Sequence, residues 1–443
     1  MKLAVIGTGY VGLTSGVCFA EMGNEVICVD IDSSKIEQLN LGIMPIYEPG
    51  IEKLVIKNSA SGRLKFTTDL DMAVQAAEII IIAVGTPSLE DGNVDLSFVH
   101  TAAKQIGACM NEYKVIVNKS TVPVGTASQV QEIIGANITD ENIGFDVASV
   151  PEFLKEGTAV EDFFQTERVV IGVASAKARE ILVELHKPLN TKIQVTDIRS
   201  AELIKYAANS FLAMKISFIN EIANIAELAG ADISQIAEGI GTDSRIGSKF
   251  LKAGIGFGGA CFPKDTKGLI KIAEHLGLNF NLLQEVINVN EIQYKKLISM
   301  LEEECEDLEN KTVAVLGLSF KPNTDDIREA ASIKIINDLK KKYPGLHLKV
   351  FDPAAMELAK TQLGATVQYC TSVEDALTES HAALIATEWN EFISFGLENY
   401  KKYLKEPIII DGRNCFSPQA AFNLNIVYRS IGRRSNVNRV LIH

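Results

Sequence analysis

The sequence predicts an α/β fold of two Rossmann-like, doubly wound domains joined by a long central helix. Three observations support this prediction. Short apolar runs alternate with helical patterns in both halves of the chain, as strands and crossover helices do in parallel sheets. A glycine-rich turn directly follows the first apolar run. A helical pattern without glycine or proline then covers residues 200–229, long enough to connect two domains.

The first strand, turn and helix have the pattern of a dinucleotide-binding unit. The apolar run Lys2–Ile6 is followed by Gly7-Thr-Gly-Tyr-Val-Gly12, a helical pattern and a second apolar run that ends in Asp30. Gly7 permits the tight turn, Gly9 lets a pyrophosphate approach the backbone, and Gly12 lets the helix and strand pack closely. An acid in the position of Asp30 accepts a ribose hydroxyl and repels a 2′-phosphate. We therefore expect NAD rather than NADP.

Polar side chains follow three further predicted strands, at residues 78–84, 113–118 and 145–150. Ligands of open α/β sheets lie beyond the carboxyl ends of the strands. Thr86, Thr121, Glu152 and Glu156 are therefore placed to reach a cofactor or a substrate. The alternative is that they serve as turn or helix-cap residues, since these residue types favour such positions.

The central helical pattern carries Lys205 and Asn209, which are four residues apart and so share one helix face. The alternative for this pair is a solvated position on the outer side of a connecting helix. A second helical stretch is predicted over 282–304. It leads into the acidic run 302–307, which we expect to be a solvated linker face.

The α/β pattern restarts at Lys311. Strands are predicted at Thr312–Leu316, 348–352, 382–386 and 407–411. The turn after the first of them has Gly317 followed by Leu and Ser, so the full glycine motif is absent and this domain holds a different ligand or none. The predicted domains are 1–195, 196–305 and 306–443.

Composition excludes several classes of function. The 443 residues carry a net charge of -13, which argues against a nucleic-acid partner. The seven cysteines show no paired spacing for a metal, and without secretory features they favour a reducing cytoplasm. Residues 1–20 are apolar but are interrupted by glycines, so we expect neither a signal peptide nor a membrane span.

The segment 256–265, Gly-Phe-Gly-Gly-Ala-Cys-Phe-Pro-Lys-Asp, is named here the cysteine loop. Its Cys261 follows a glycine run and precedes Lys264 and Asp265. A thiol beside a lysine is held partly as thiolate, the nucleophilic form. The alternative is a small buried cysteine in a glycine-rich turn.

Together these motifs make the chain similar to the nucleotide-sugar 6-dehydrogenases, the UDP-glucose/GDP-mannose dehydrogenase family, over nearly its whole length. The resemblance rests on residues 7–12 and the cysteine loop together with Ser120-Thr-Val-Pro-Val-Gly125, Pro151-Glu-Phe-Leu-Lys-Glu156 and Lys321-Pro-Asn-Thr-Asp-Asp-Ile-Arg328. One departure is Ala260, where the family usually has serine before the nucleophile. Lys155 also stands where relatives carry arginine or alanine.

The resemblance implies a four-electron oxidation of the sugar CH₂OH of UDP-glucose to the carboxylate of UDP-glucuronate. Asp265 would be the base, acting through an ordered water, and Lys205 would stabilise the alkoxide. Cys261 would hold the aldehyde as a thiohemiacetal and then a thioester. Glu152 and Asp265 would activate the hydrolytic water, and Asn209 would orient the sugar. Thr121 is counted with these catalytic residues.

The resemblance also implies binding residues and a homodimer formed through the central helix. Besides the three glycines of the first turn, the residues expected to contact NAD are Val11, Asp30, Lys35, Thr86, Thr121, Glu156, Lys264 and Arg328. Besides Glu152, Lys205 and Asn209, those expected at the nucleotide sugar are Phe153, Leu154, Lys155, Phe250, Leu251, Gly258, Lys321 and Arg413. Arg245 would reach the sugar from the partner subunit. The glycines of the cysteine loop would leave room for the sugar.

Three alternatives remain open at this point. The first is the same chemistry on GDP-mannose or a UDP-N-acetylhexosamine. The second is a single-step hydroxyacid dehydrogenase of similar build, which needs no thiol. The third is a non-catalytic NAD-binding regulator, against which the presence of Lys205, Cys261 and Asp265 argues.

Overall fold

The computed structural model describes residues 1–434, which divide into two compact units. The first consists of Met1–Ala208 and Lys267–Leu278. The second consists of Asn209–Thr266 and the chain from Asn279 onward.

The first unit is built on one eight-stranded sheet. Its strands are β1 (Lys2–Ile6), β2 (Glu25–Val29), β3 (Leu64–Thr67), β4 (Ile79–Ile82), β5 (Lys114–Asn118), β6 (Phe145–Ser149), β7 (Arg168–Gly172) and β8 (Lys192–Thr196). They lie in the order β3-β2-β1-β4-β5-β6-β7-β8, and each neighbouring pair is parallel except β6 with β7. Leu3 and Val5 of β1 face one apolar core, and Ala4 and Ile6 face the other, so helices cover both sides of the sheet.

The helices of this unit follow the strands in turn. They are α1 (Tyr10–Glu21), α2 (Ser33–Asn40), α3 (Ile51–Ala60), α4 (Leu70–Ala76), α5 (Ser97–Cys109), α6 (Thr126–Asn137), α7 (Ala159–Phe164) and α8 (Ala176–His186). Asp32, Asp69 and Ser175 begin three of them by accepting a backbone N–H with the side chain.

The long central helix is confirmed as α9 (Ile198–Ala229). It is followed by α10 (Ile233–Gly241), α11 (Phe262–His275), α12 (Asn281–Gln293) and α13 (Lys295–Glu304). The helical stretch predicted over 282–304 is confirmed as α12 and α13, which are divided at Tyr294, a residue whose backbone keeps right-handed helical angles (φ -61°, ψ -24°). The Tyr294 hydroxyl donates to Asp338, 2.7 Å away, a partner that no local periodicity reveals.

The second unit carries a six-stranded parallel sheet. Its strands are β9 (Thr312–Leu316), β10 (His347–Phe351), β11 (Gln368–Tyr369), β12 (Ala382–Ile385), β13 (Ile408–Asp411) and β14 (Val427–Ser430). Its helices are α14 (Ala331–Lys342), α15 (Met356–Leu363), α16 (Val373–Leu377), α17 (Asn390–Phe395), α18 (Leu397–Tyr403) and α19 (Pro418–Asn423). The strand order β11-β10-β9-β12-β13-β14 repeats that of the first six strands of the other sheet. Both are the order of a Rossmann domain, which confirms the predicted fold class.

The acidic run 302–307 begins within α13, and the prediction of a solvated face holds only in part, since Glu303, Glu306 and Asp307 are exposed but the Glu304 side chain is 8% exposed. Glu303 and Glu304 accept from the Arg429 guanidinium at 2.8 and 2.7 Å, and Glu302 pairs with Lys342 at 2.7 Å. Arg429 lies on β14 and is 9% exposed, so its burial requires these carboxylates. These ion pairs connect the end of α13 to α14 and β14.

Within residues 1–434, no helix combines the length and apolar character needed to cross a bilayer. In the same part of the chain, no three His, Cys, Asp or Glu side chains are grouped so that they could hold a metal ion.

Candidate active site

The two units divide the predicted site residues between them. The first unit carries Gly7, Gly9, Val11, Gly12, Asp30, Lys35, Thr86, Thr121, Glu152, Phe153, Leu154, Lys155, Glu156 and Lys205. The second carries Asn209, Arg245, Phe250, Leu251, Gly258, Cys261, Lys264, Asp265, Lys321, Arg328 and Arg413.

The glycine turn has the shape that a dinucleotide requires. Gly7 adopts a φ of 96°, and a Cβ on Gly12 would overlap the Gly7 carbonyl oxygen. Around a Cβ built on Gly9 there is open space, and Gly9 precedes the first turn of α1. The unpaired N–H groups of that turn therefore face a space in which a pyrophosphate can sit.

Asp30 follows β2 and lies beside the same turn. Its carboxylate accepts from the Thr8 backbone at 2.9 Å, from the Thr8 hydroxyl at 2.6 Å and from Lys35 at 3.2 Å. Burial alone would raise the pKa of Asp30, but these hydrogen bonds hold it below its ordinary value. The turn and the charged acid together fit NAD.

Glu152 and Lys205 form a buried ion pair. The Lys205 ammonium lies 2.9 Å from Oε1 of Glu152, and the side chains are 4% and 5% exposed. The second carboxylate oxygen accepts from the Leu154 backbone at 2.6 Å. Burial alone would raise the pKa of Glu152, but the charge and hydrogen bond of Lys205 hold it below its ordinary value. Glu152 is thus a carboxylate at neutral pH.

Four other predicted residues of the first unit have defined neighbours. The Thr86 hydroxyl donates to the Thr121 carbonyl at 2.9 Å, which joins the loops after β4 and β5. Lys155 is exposed and pairs with Asp162 at 2.9 Å. The Lys205 ammonium lies 5.5 Å from the centre of the Phe153 ring.

The cysteine loop ends at the start of α11. Cys261 directly precedes the first residue of this helix, and its carbonyl accepts from the Asp265 N–H at 2.8 Å. Cys261 is half-buried, and Asp265, one turn later, is fully buried. A thiol at a helix N-terminus experiences the positive end of the helix dipole, which favours the thiolate.

Two predicted residues hold the Asp265 carboxylate. Asn209 donates to it at 2.6 Å, and the Lys264 ammonium pairs with it at 2.6 Å. Lys205 and Asn209 occupy one face of α9, as their spacing predicts, and both are buried rather than solvated.

The glycines of the cysteine loop are required by the protein's own packing. A Cβ on Gly258 would overlap the Glu329 carbonyl oxygen, and the Gly259 N–H donates to the Arg328 carbonyl at 2.8 Å. Arg413 donates to the Gly256 carbonyl at 3.2 Å. At Gly258, protein atoms occupy the space that a Cβ would take, so packing alone requires a glycine there.

Other predicted residues of the second unit lie around this loop or at the surface. Phe250 has a φ of 65°, a strained value for a bulky residue, and its ring lies 6.2 Å from that of Phe262. Arg328 pairs with Asp326 at 2.6 Å. Arg245 extends into solvent with its side chain 87% exposed, paired with Asp243.

Lys119 and Glu202 are among the buried charged residues that the sequence analysis did not identify. Lys119 is 6% exposed, and burial lowers its pKa to about 8. Glu202 accepts from the backbone N–H groups of Gly125 and Ala127 at 2.6 and 2.8 Å, at the start of α6. The signal for Glu202 was its spacing, since it lies three residues before Lys205 on the same helix face. The signal for Lys119 was its position directly after the predicted strand 113–118.

Comparison with known families gives three matches in chain order. Residues 1–190 match the NAD binding domain of the UDP-glucose/GDP-mannose dehydrogenase family. Residues 199–292 match the central domain of that family, and residues 314–418 match its UDP binding domain.

Individual relatives cover nearly the whole chain. The UDP-glucose 6-dehydrogenase TuaD of Bacillus subtilis is 52% identical, over 98% of this chain and 93% of its own. A UDP-glucose dehydrogenase structure from Pyrobaculum islandicum has a TM-score of 0.90 at 38% identity, covering 98% of both chains. A UDP-D-ManNAc dehydrogenase structure from Pyrococcus horikoshii has a TM-score of 0.85 at 28% identity, covering 98% of this chain and 99% of its own.

Proposed function

Because the chain belongs to the UDP-glucose/GDP-mannose dehydrogenase family, we propose that it oxidises UDP-glucose to UDP-glucuronate in two NAD-dependent steps. The observation that carries the proposal is the end of the cysteine loop. There a nucleophilic thiol, Cys261, precedes by one helical turn a buried carboxylate, Asp265, that Asn209 and Lys264 hold. An enzyme that transferred a single hydride would need no such thiol.

NAD is the cofactor, as the sequence predicted and the family's NAD binding domain confirms. The first turn of α1 would hold the pyrophosphate and Asp30 the ribose. When bound, NAD supplies the hydride acceptor of each oxidation. Val11, Lys35, Thr86, Thr121, Glu156, Lys264 and Arg328 are further proposed contacts of the cofactor.

In the first oxidation the sugar alcohol loses a proton and a hydride to become an aldehyde. Asp265 takes the proton through a water, and its buried, hydrogen-bonded carboxylate is suited to that task. The Lys205 ammonium stabilises the alkoxide as charge develops on the sugar oxygen. Asn209 orients the sugar.

In the second oxidation Cys261 adds to the aldehyde carbon. The C–S bond forms and the oxygen takes up a proton, which gives a thiohemiacetal. Loss of a second hydride and a proton gives the thioester. Water then releases the carboxylate and restores the thiol. Glu152 and Asp265 are proposed to activate this water, and Thr121 is proposed as a further catalytic residue. The ionised state of Glu152 suits this role.

UDP-glucose is proposed over other nucleotide sugars because the chain has a higher sequence identity to a UDP-glucose 6-dehydrogenase than to the UDP-D-ManNAc dehydrogenase. The UDP-glucose 6-dehydrogenase TuaD is 52% identical to this chain, whereas the UDP-D-ManNAc dehydrogenase is 28% identical. The uridine diphosphate would bind in the segment that matches the UDP binding domain, where Lys321 and Arg413 supply cations. Phe153, Leu154, Lys155, Phe250, Leu251 and Gly258 would line the rest of the nucleotide-sugar site.

The proposal predicts two NADH formed per UDP-glucose consumed, because oxidation of CH₂OH to carboxylate releases four electrons and each NAD accepts two. NADH absorbance and chromatographic loss of UDP-glucose measure the ratio. GDP-mannose and a UDP-N-acetylhexosamine serve as comparison substrates. A ratio near one, or faster turnover of a comparison substrate, would overturn the proposal.

A homodimer through α9 is also proposed. Phe211, Phe218 and Ile225 are 58%, 54% and 60% exposed, and their seven-residue spacing places them on one face of the helix. Large apolar side chains exposed on one helix face are typical of a protein interface. We assign this face to a second copy of this chain, whose exposed Arg245 would reach the sugar of its neighbour.

Phe218→Glu is expected to convert the dimer to monomer, since it would bury a charge in an apolar interface. Light scattering after size-exclusion chromatography measures the mass. Leu358→Glu, at a 43% exposed position on α15, is the matched control and should remain dimeric. A Phe218→Glu protein with unchanged mass, or an unmodified protein that is monomeric, would contradict the assignment.

We place the enzyme in the cytoplasm. The proposed mechanism requires Cys261 as a reactive thiol, and the reducing cytoplasm keeps thiols in that form.

A further inference from the structure

Three segments far apart in the sequence meet at one buried carboxylate in the first unit. Glu48 accepts hydrogen bonds from the Tyr10 hydroxyl, from the Gly157 N–H at 2.6 Å and from the Val160 N–H at 3.3 Å. The Gly157 N–H also lies 2.7 Å from the Tyr10 oxygen. Glu48 is 6% exposed and lies in the loop between α2 and α3.

Each donor belongs to a segment of the proposed site. Tyr10 follows Gly9 and is the first residue of α1, so its backbone N–H is one of those that face the pyrophosphate space. Gly157 follows Glu156 and ends the segment that begins with Glu152. Glu48 itself belongs to neither segment.

A carboxylate suits this junction because it accepts several hydrogen bonds and donates none. Hydrogen bonds to an ionised acceptor are shorter and about twice as strong as neutral ones. The Glu48 carboxylate fixes the phenol of Tyr10 and also fixes the backbone at Gly157. Displacement of either segment therefore breaks hydrogen bonds at the same buried group.

We propose that Glu48 is a positioning residue that ties the dinucleotide-binding turn to the segment carrying Glu152 and Glu156. This inference rests on the proposed function for the roles of those two acids. It assigns to Glu48 no contact with NAD or sugar. It implies that the cofactor turn and the acid-bearing segment are set by one carboxylate, so that loss of the carboxylate disturbs both.

Glu48→Gln tests the proposal, because it keeps the shape but places an NH₂ group among donors. We expect the Kd for NAD to rise about tenfold, as for a buried donor left without its acceptor, and kcat with UDP-glucose to fall by a similar factor. Calorimetric titration with NAD alone gives the Kd without any turnover. Asp69→Asn is the matched control, since it changes the capping carboxylate of α4 in the same unit, and both values should stay within twofold.

Tyr10→Phe provides the second variant and guards against a Glu48→Gln protein that fails to fold. It removes one donor and leaves the carboxylate with its two N–H groups, so a rise in the NAD Kd of about threefold is expected. In the double variant the two changes should not add, because they disrupt the same hydrogen bond.

A purely structural role would lower the melting temperature but leave the NAD Kd and kcat of the folded protein unchanged, and that result overturns the proposal. Additive effects in the double variant also overturn it. Failure of the proposed function is distinguishable, because NAD titration still reports on Glu48 when UDP-glucose is not a substrate.

Discussion

Cys261→Ser is expected to reduce UDP-glucuronate formation by a factor on the order of 10³ or more. A serine hydroxyl is far less ionised than a thiol at neutral pH, and an ester is harder to hydrolyse than a thioester. The positive end of α11 favours an ionised thiol but cannot ionise a hydroxyl to a useful extent. The first oxidation does not use the thiol, so NADH formation should stop at or below one per enzyme-bound sugar.

Rapid mixing with NADH absorbance and chromatography of the sugar product measure both steps. Cys109→Ser is the matched control, because Cys109 donates from its sulfur to the Gln105 carbonyl at 3.1 Å and a serine hydroxyl can do the same. The control should retain acid formation. Full acid production by Cys261→Ser would refute the covalent scheme.

Glu152→Gln is expected to cost both stability and turnover. It leaves the Lys205 ammonium, only 4% exposed, without its carboxylate, and breaking a buried ion pair in this way costs about 3–5 kcal/mol. Loss of a group that activates water lowers kcat by a factor of about 10²–10⁴. Urea unfolding and steady-state kinetics give the two quantities. Unchanged stability and kcat in this variant would show that Glu152 neither stabilises the fold through Lys205 nor activates water.

The difference in stability between the unmodified protein and Glu152→Gln should become smaller as the pH falls. The pKa of Glu152 is lowered in the folded protein, so its contribution is present above the ordinary carboxyl pKa of about 4.3 and is lost as the pH falls through the folded value. The difference between the unmodified protein and Glu152→Gln should therefore shrink in acid. Glu202→Gln is a control of opposite slope, because burial raises the pKa of Glu202. A Glu152→Gln difference that grows in acid would contradict the assignment.

Elements with a strong local pattern were predictable. The turn at Gly7 and the acid at Asp30 lie within one strand-helix-strand unit, whose periodicity and spacing are visible in the chain. The helix face shared by Lys205 and Asn209 follows from helical geometry alone. The nearness of Asp265 to Cys261 is likewise a matter of one helical turn.

In the second domain, local sequence patterns were not sufficient to predict the partners of Asp352. Gly317 has a φ of 95°, and Asp352 accepts from the Leu318 and Ser319 N–H groups at 2.7 and 3.0 Å, much as Asp30 accepts from Thr8. The Trp389 indole also donates to Asp352 at 3.1 Å, so this acid is engaged by the protein itself. The sequence showed the missing glycines but not the tryptophan, which comes from a distant segment.

By itself, the sequence determined the two Rossmann-like domains, the NAD turn, the central helix and the residues of the cysteine loop, because each depends on neighbours within a few turns or strands. Only the tertiary structure decided which charges are buried together. The pairing of Glu152 with Lys205, of the acidic run with Arg429 and of Glu48 with Tyr10 and Gly157 joins residues 38 to 126 positions apart. Such pairs form because desolvated charges and donors need partners, and folding rather than local pattern supplies them.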